Sequence, residues 1–266
     1  MKKGIRGHDV RAEGLSNIAK RCKEVGIEYI QLVLERSIKD FKTGMFSEEY
    51  AASLKEQIGD RKTAVLGSYI NPSNPDKEGL FQDMEKFKEK IRYATVINPI
   101  VVGTETGIYK PNMTDTEEAY QYLLKNIKEL AEYASQYNVN IGIEGVHCFV
   151  INTPEKMARL VNDLNCDNVK VIFDPVNYIN SENYMKQDDI INKTFELMAD
   201  KLAVIHAKDF TVKDGKLAGA IPGEGELNYS LIFKLMKEYN LDIPVICEEI
   251  DEVKAAAAFN TLEKIL

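Results

Sequence analysis

The chain has no tryptophan, only three histidines and four cysteines in 266 residues, and no long apolar run. Each shortage excludes something. Nothing approaches the roughly 20 apolar residues that a membrane helix requires, so no membrane partner is expected. Behind the two lysines of MKKGIRGHDV there is no apolar segment. No secretory leader is read there, and the cytoplasm is the expected location. Cys22, Cys148, Cys166 and Cys247 are far apart and form no CxxC pair. That spacing argues against a zinc knuckle and for four reduced thiols. Positive charge is short as well. Lysine and arginine number 34 against 42 acidic residues, a net charge of −8, and no basic block occurs. A nucleic-acid partner is therefore not expected. The turn after the first apolar run, GHDVRAEG, lacks GxGxxG, so nothing points to a dinucleotide.

What is present is a globular composition, 44% hydrophobic and 29% charged, which argues against disorder. Short apolar runs alternate with longer amphipathic patterns. Strands are expected around Ile5 and at residues 29–34, 64–69, 100–103, 140–146, 170–174, 202–206 and 244–248. Several are apolar at consecutive positions, as strands buried on both faces are. Between them, Leu15, Ile18, Ala19, Cys22 and Val25 form one helical stripe. Residues 116–137 place Tyr120, Leu123, Leu124, Ile127, Leu130, Ala131 and Ala134 on one face, and Thr114 three residues before Glu117 reads as a capping box. Thr153 before Pro154 reads as another helix start, as does Asn228. No linker divides the chain. Eight strands alternating with helices predict one domain over residues 1–266, a (β/α)8 barrel, with a doubly wound open sheet as the alternative.

In such a barrel the chemistry sits at the C-terminal ends of the strands. The fifth strand ends in NIGIEGVHC, with Glu144 and His147; the sixth in KVIFDPVNYI, with Asp174 and Asn177. The seventh ends in KLAVIHAKDF, with His206, Lys208 and Asp209, and the eighth in IPVICEEID, with Glu248 and Glu249. Period-two alternation places Gly142 with Glu144 and Val204 with His206, whereas parity leaves Glu248 and Glu249 undecided. Any one strand-end charge can simply meet solvent. Four consecutive strands ending in Glu, Asp, His and Glu form a hard, oxygen-rich donor set suited to Mn²⁺, Mg²⁺ or Co²⁺, with Zn²⁺ as a further option. Without a cation the three carboxylates would repel one another.

That order of residues resembles the xylose isomerase-like sugar phosphate isomerases and epimerases, above all ketose epimerases of the tagatose or psicose type, hydroxypyruvate isomerase and inosose dehydratase. Glu144 followed by NTPE, Asp174 on the sixth strand, HAKD on the seventh, the loop PGEGELNY and PVICEE on the eighth carry the resemblance. It implies that Glu144, Asp174, His206 and Glu248 hold one divalent ion, manganese first, and it favours Glu248 over Glu249. It implies also that Glu144 and Glu248 act as acid and base on a small carbohydrate, isomerising or epimerising it through a metal-stabilised enediolate. A dehydratase on the same site and a non-catalytic sugar-binding barrel are the alternatives. One departure bears on the substrate: Asn177 stands where many members have histidine, and it cannot titrate near neutral pH. Three histidines are too few for the zinc cluster of the apurinic endonuclease branch.

His147, Asn177, Lys208 and His8 are the expected substrate contacts, although His8 and His147 also read as structural or loop histidines. Asp209 is expected to orient a neighbour or cap a helix. The two glycines of PGEGEL read either as a phosphate cradle or as a plain loop. Phe149 and Tyr178 either wall the pocket or pack the helical ring. Assembly into a homo-oligomer stays open.

Overall fold

The computed structural model describes residues 1–266. Its strands, in chain order, are β1 (Lys2–Arg6), β2 (Tyr29–Leu32), β3 (Lys62–Gly67), β4 (Val101–Glu105), β5 (Ile141–Glu144), β6 (Val169–Phe173), β7 (Leu202–Ala207), β8 (Asp209–Lys213), β9 (Lys216–Ala220) and β10 (Pro244–Cys247). Eight of them, β1 to β7 and β10, close into a parallel ring, while β8 and β9 form a separate antiparallel hairpin. β1 pairs with both β2 and β10, so no edge is left and the open-sheet alternative is excluded. Outside the ring run α1 (Leu15–Glu24), the short α2 (Leu34–Ser37), α3 (Glu48–Ile58), α4 (Lys77–Ile97), α5 (Glu117–Ser135), α6 (Pro154–Leu164), α7 (Gln187–Met198), α8 (Tyr229–Glu238) and α9 (Glu252–Ile265). This is a single (β/α)8 barrel.

The apolar core divides in two. A cluster of 64 buried residues joins the outward faces of the strands to the helices. Only eight, among them Tyr29, Val65, Val101, Ile172, Val204 and Ile246, fill the ring. The interior is tight enough to require glycine. Gly103 and Gly142 lie side by side on β4 and β5, and a Cβ on either would come within 2.9 or 3.0 Å of Ile172 Cδ1. Ile172 thus packs across two bare strands, in register with Glu144 and two residues before Asp174.

Helix starts follow side-chain acceptors. Thr153 accepts from the Lys156 N–H and Asn228 from the Leu231 N–H, both as expected. The capping-box reading of Thr114 is corrected: Thr116 accepts from the Ala119 N–H, and Thr114 donates instead to the Lys110 carbonyl of the preceding turn. The hairpin was not foreseen. Asp214 and Gly215 join its strands with φ of 52° and 73°, the backbone that an Asp-Gly pair supplies to a two-residue turn.

Candidate metal centre

Alternation along each strand turns Glu144, Asp174, His206 and Glu248 into the C-terminal mouth of the ring, all of them buried. Donor atoms of Glu144, Asp174 and His206 lie within 4.8 Å of one another. Nδ1 of His206 is 3.1 Å from Glu144 Oε1 and 3.5 Å from Glu248 Oε1. Adjacent ligand atoms around an ion bound at about 2.1 Å are separated by about 3 Å, so this spacing fits a small divalent cation. His206 Nε2 is buried with no hydrogen-bond partner. Three carboxylates and one imidazole are the donors that Mn²⁺, Mg²⁺, Co²⁺ or Zn²⁺ accept.

The carboxylates are held by a second ring of polar groups. Asn177 donates to Glu144 Oε1 at 2.8 Å, and Gln31 donates to Glu248 Oε1 at 3.0 Å. Asp174 Oδ1 accepts the backbone N–H groups of Val176 and Asn177. The Lys208 ammonium sits 3.0 Å from Asp174 Oδ2 and 3.1 Å from Glu248 Oε2. It also donates to Asn177 Oδ1. Asn177 therefore bridges Glu144 and Lys208, a role open to an amide and closed to a carboxylate.

Charge and burial pull the groups apart. Burial lifts Asp174 to about 6 even with Lys208 beside it. Burial would depress His206, but Glu248 and Glu144 outweigh it and push the imidazole up to about 9. For Glu248 the same burial is overcome by His206, Lys208 and Arg6, which bring it down to about 2. Perturbation in opposite directions within one buried cluster is characteristic of functional sites.

The xylose isomerase-like TIM barrel family model matches residues 19–265. The chain belongs to this family. Among curated proteins it is 22% identical to hydroxypyruvate isomerase of Escherichia coli over 246 residues, 86% of this chain and 84% of that one. It is 23% identical to inosose isomerase of Bacillus velezensis over 166 residues, 59% of this chain and 56% of the relative's length. Among solved structures, IolI protein with a bound zinc atom superposes with a TM-score of 0.80 at 20% identity, covering 100% of this chain and 96% of that one.

In this member of the family the mouth opens on a cavity of about 230 Å³ lined by Arg6, His8, Gln31, Arg36, Tyr69, Glu105, Glu144, Lys208, Glu248 and Glu249, with Val33 as its aliphatic wall. Of the sequence-predicted substrate contacts, His8 and Lys208 line it. Asn177 lies behind, against Glu144. His147 is exposed outside the lining, its ring 3.3 Å from the Asn177 carbonyl oxygen. Glu249 stands on the rim with φ of 64°, and its N–H donates to Asp9. Glu248 is thus the buried one of the pair. Arg6, Gln31, Arg36, Tyr69 and Glu105 were not foreseen. Gln31 carried a signal, a lone amide in a strand otherwise apolar, and Glu105 carried another, the last position of β4.

Asp209 has a structural task. Its two oxygens accept the backbone N–H groups of Phe210, Gly223, Gly225 and Leu227. The Gly223 and Gly225 amides are spent on this carboxylate and the Glu224 amide on the Ile221 carbonyl, so the loop is no phosphate cradle. Tyr178 is buried against Phe173, a packing role in place of a pocket wall.

Proposed function

We propose that this protein is a divalent-metal-dependent isomerase or epimerase of a small sugar or sugar derivative. One observation carries the reading: two buried glutamates from different strands approach the same imidazole nitrogen, with a third buried carboxylate beside them. When bound, the cation held by Glu144, Asp174, His206 and Glu248 supplies Lewis-acid polarisation of a carbonyl. The chain's own residues do the rest. Glu144, steadied by the Asn177 amide, and Glu248, steadied by Gln31, remove and return a proton beside that carbonyl. Lys208 offsets the charge of Asp174 and Glu248 and keeps both oxygens oriented. A lining of amide, carboxylate, guanidinium and phenol groups matches a polyhydroxylated substrate better than an apolar one.

Elemental analysis of protein purified without chelator should find one divalent ion per chain, lost in His206→Ala and Asp174→Ala. With Mn²⁺ and a panel of ketoses in D2O, the parent should place deuterium at the carbon beside the carbonyl. Glu144→Gln and Glu248→Gln should stay folded and lose turnover by about 10² to 10⁴. Metal content unchanged in the ligand variants, or parent-like turnover in both glutamine variants, rules the reading out.

A further inference from the structure

We propose that the substrate carries an acidic group, a carboxylate or a phosphate, and that Arg36 receives it at the cavity rim. This rests on the metal-dependent reading above and narrows it to a substrate class. Three cationic side chains of Arg and Lys line the cavity. Arg6 is bound to Asp9 at 2.8 Å and lies 3.6 Å from Glu248. Lys208 is paired with Asp174 and Glu248. Arg36 forms no ion pair; the one hydrogen bond of its guanidinium runs from Nη1 to His8 Nε2 at 3.4 Å. A planar fork of donors left open beside a metal centre is suited to an oxyanion.

Its footing is fixed, unlike that of a free surface arginine. Leu34 and Ser37 of α2 are buried. Between them Glu35 pairs with Lys90 at 2.7 Å, a lysine with 0% of its side chain exposed. The residue before that lysine, Glu89, accepts the N–H groups of Gly44 and Phe46 and so secures the loop after α2. His8 meets the guanidinium as an acceptor. An imidazole accepting at Nε2 carries its proton on Nδ1, and that atom is buried without a partner.

Isothermal titration of the Mn²⁺-loaded protein with D-fructose, D-fructose 6-phosphate and 2-keto-D-gluconate tests this, since the probes share a ketose chain and differ in the acidic group. One charged probe should bind at least about 10-fold tighter than fructose, and which one it is separates phosphate from carboxylate. Arg36→Gln should weaken that probe by about 10- to 100-fold, far more than it weakens fructose, and leave metal content unchanged. Arg36→Lys should recover part of the loss, as a point charge without the fork. Equal binding of charged and neutral probes overturns the proposal, as does no binding of either charged probe. Parent-like binding of the charged probe by Arg36→Gln overturns it too, since attraction by the metal centre alone would give that result. Metal content measured on the same samples isolates the parent reading: a chain without metal defeats that reading, while an acid preference lost in Arg36→Gln still supports the arginine site.

Discussion

Glu105 brings a carboxylate to the cavity with no protein donor to meet it. Burial, and after it the charge of Glu144, raises it to about 7. An acid raised on folding binds more protons in the native chain than in the unfolded one between its two values. Stability of the metal-free protein therefore falls as pH climbs from about 4.5 to about 7, and the deficit persists above that. Glu105→Gln should remove it. The variant should be more stable than the parent by about 1–2 kcal/mol at pH 8, a figure discounted for partial exposure, and equal to it near pH 4.5. Urea titrations at the two pH values check this; an equal difference at both would refute it. Glu105 was missed because the expected fourth strand stopped at residue 103, two positions short of it. Glu144, Asp174, His206 and Glu248 each close an apolar run, so the strand-end rule finds them. Arg6 and Gln31 gain meaning from Glu248, close by where the ring closes but about 240 and 217 positions away along the chain. Arg36 comes from a helix beyond its strand, for which alternation says nothing, and Tyr69 closes the expected third strand but lies past the end of β3.

At the scale of elements, all eight barrel strands were readable, because strands buried on both faces announce themselves as apolar runs. The hairpin of β8 and β9 was missed, although Asp214-Gly215 is a turn pair, because no residue of β9 is buried to give an apolar run. Its base is held by Asp209. Four backbone donors share that one carboxylate, two on each oxygen. Asparagine has the same shape but turns an NH₂ toward one pair of donors, leaving them unsatisfied in a buried place. Asp209→Asn should lose about 2–4 kcal/mol in urea unfolding, from one to three for each stranded donor after relaxation. Hydrogen exchange at Gly223, Gly225 and Leu227 should accelerate with it. Parent-like exchange there would mean that the carboxylate is not what orders the loop. The same local rule explains the helix start misread at Thr114: the spacing to Glu117 was right, but Lys110 offered its hydroxyl a carbonyl first.

For the whole molecule, a cation bound only by the folded chain adds stability by mass action, about 2.7 kcal/mol at a hundredfold excess over Kd. For a chain of this length that should raise the melting temperature by about 5–10 °C with Mn²⁺ over the chelator-treated protein. No shift in Asp174→Ala should accompany it; a shift kept in that variant would place the ion elsewhere. No helix is long and apolar enough to cross a membrane. The closure of the ring has a further consequence, and it concerns synthesis. Lys2 to Ile5 of β1 take as partners Pro244 to Cys247 of β10. At 5–20 residues per second the ribosome needs roughly ten to fifty seconds between making the first and making the second. Through that interval β1 can pair on one side only, and its other row of amides and carbonyls stays open to any passing strand. The barrel is therefore sealed by its last-made strand, and protection of the first strand's amides on stalled nascent chains should arrive only once β10 has left the exit tunnel.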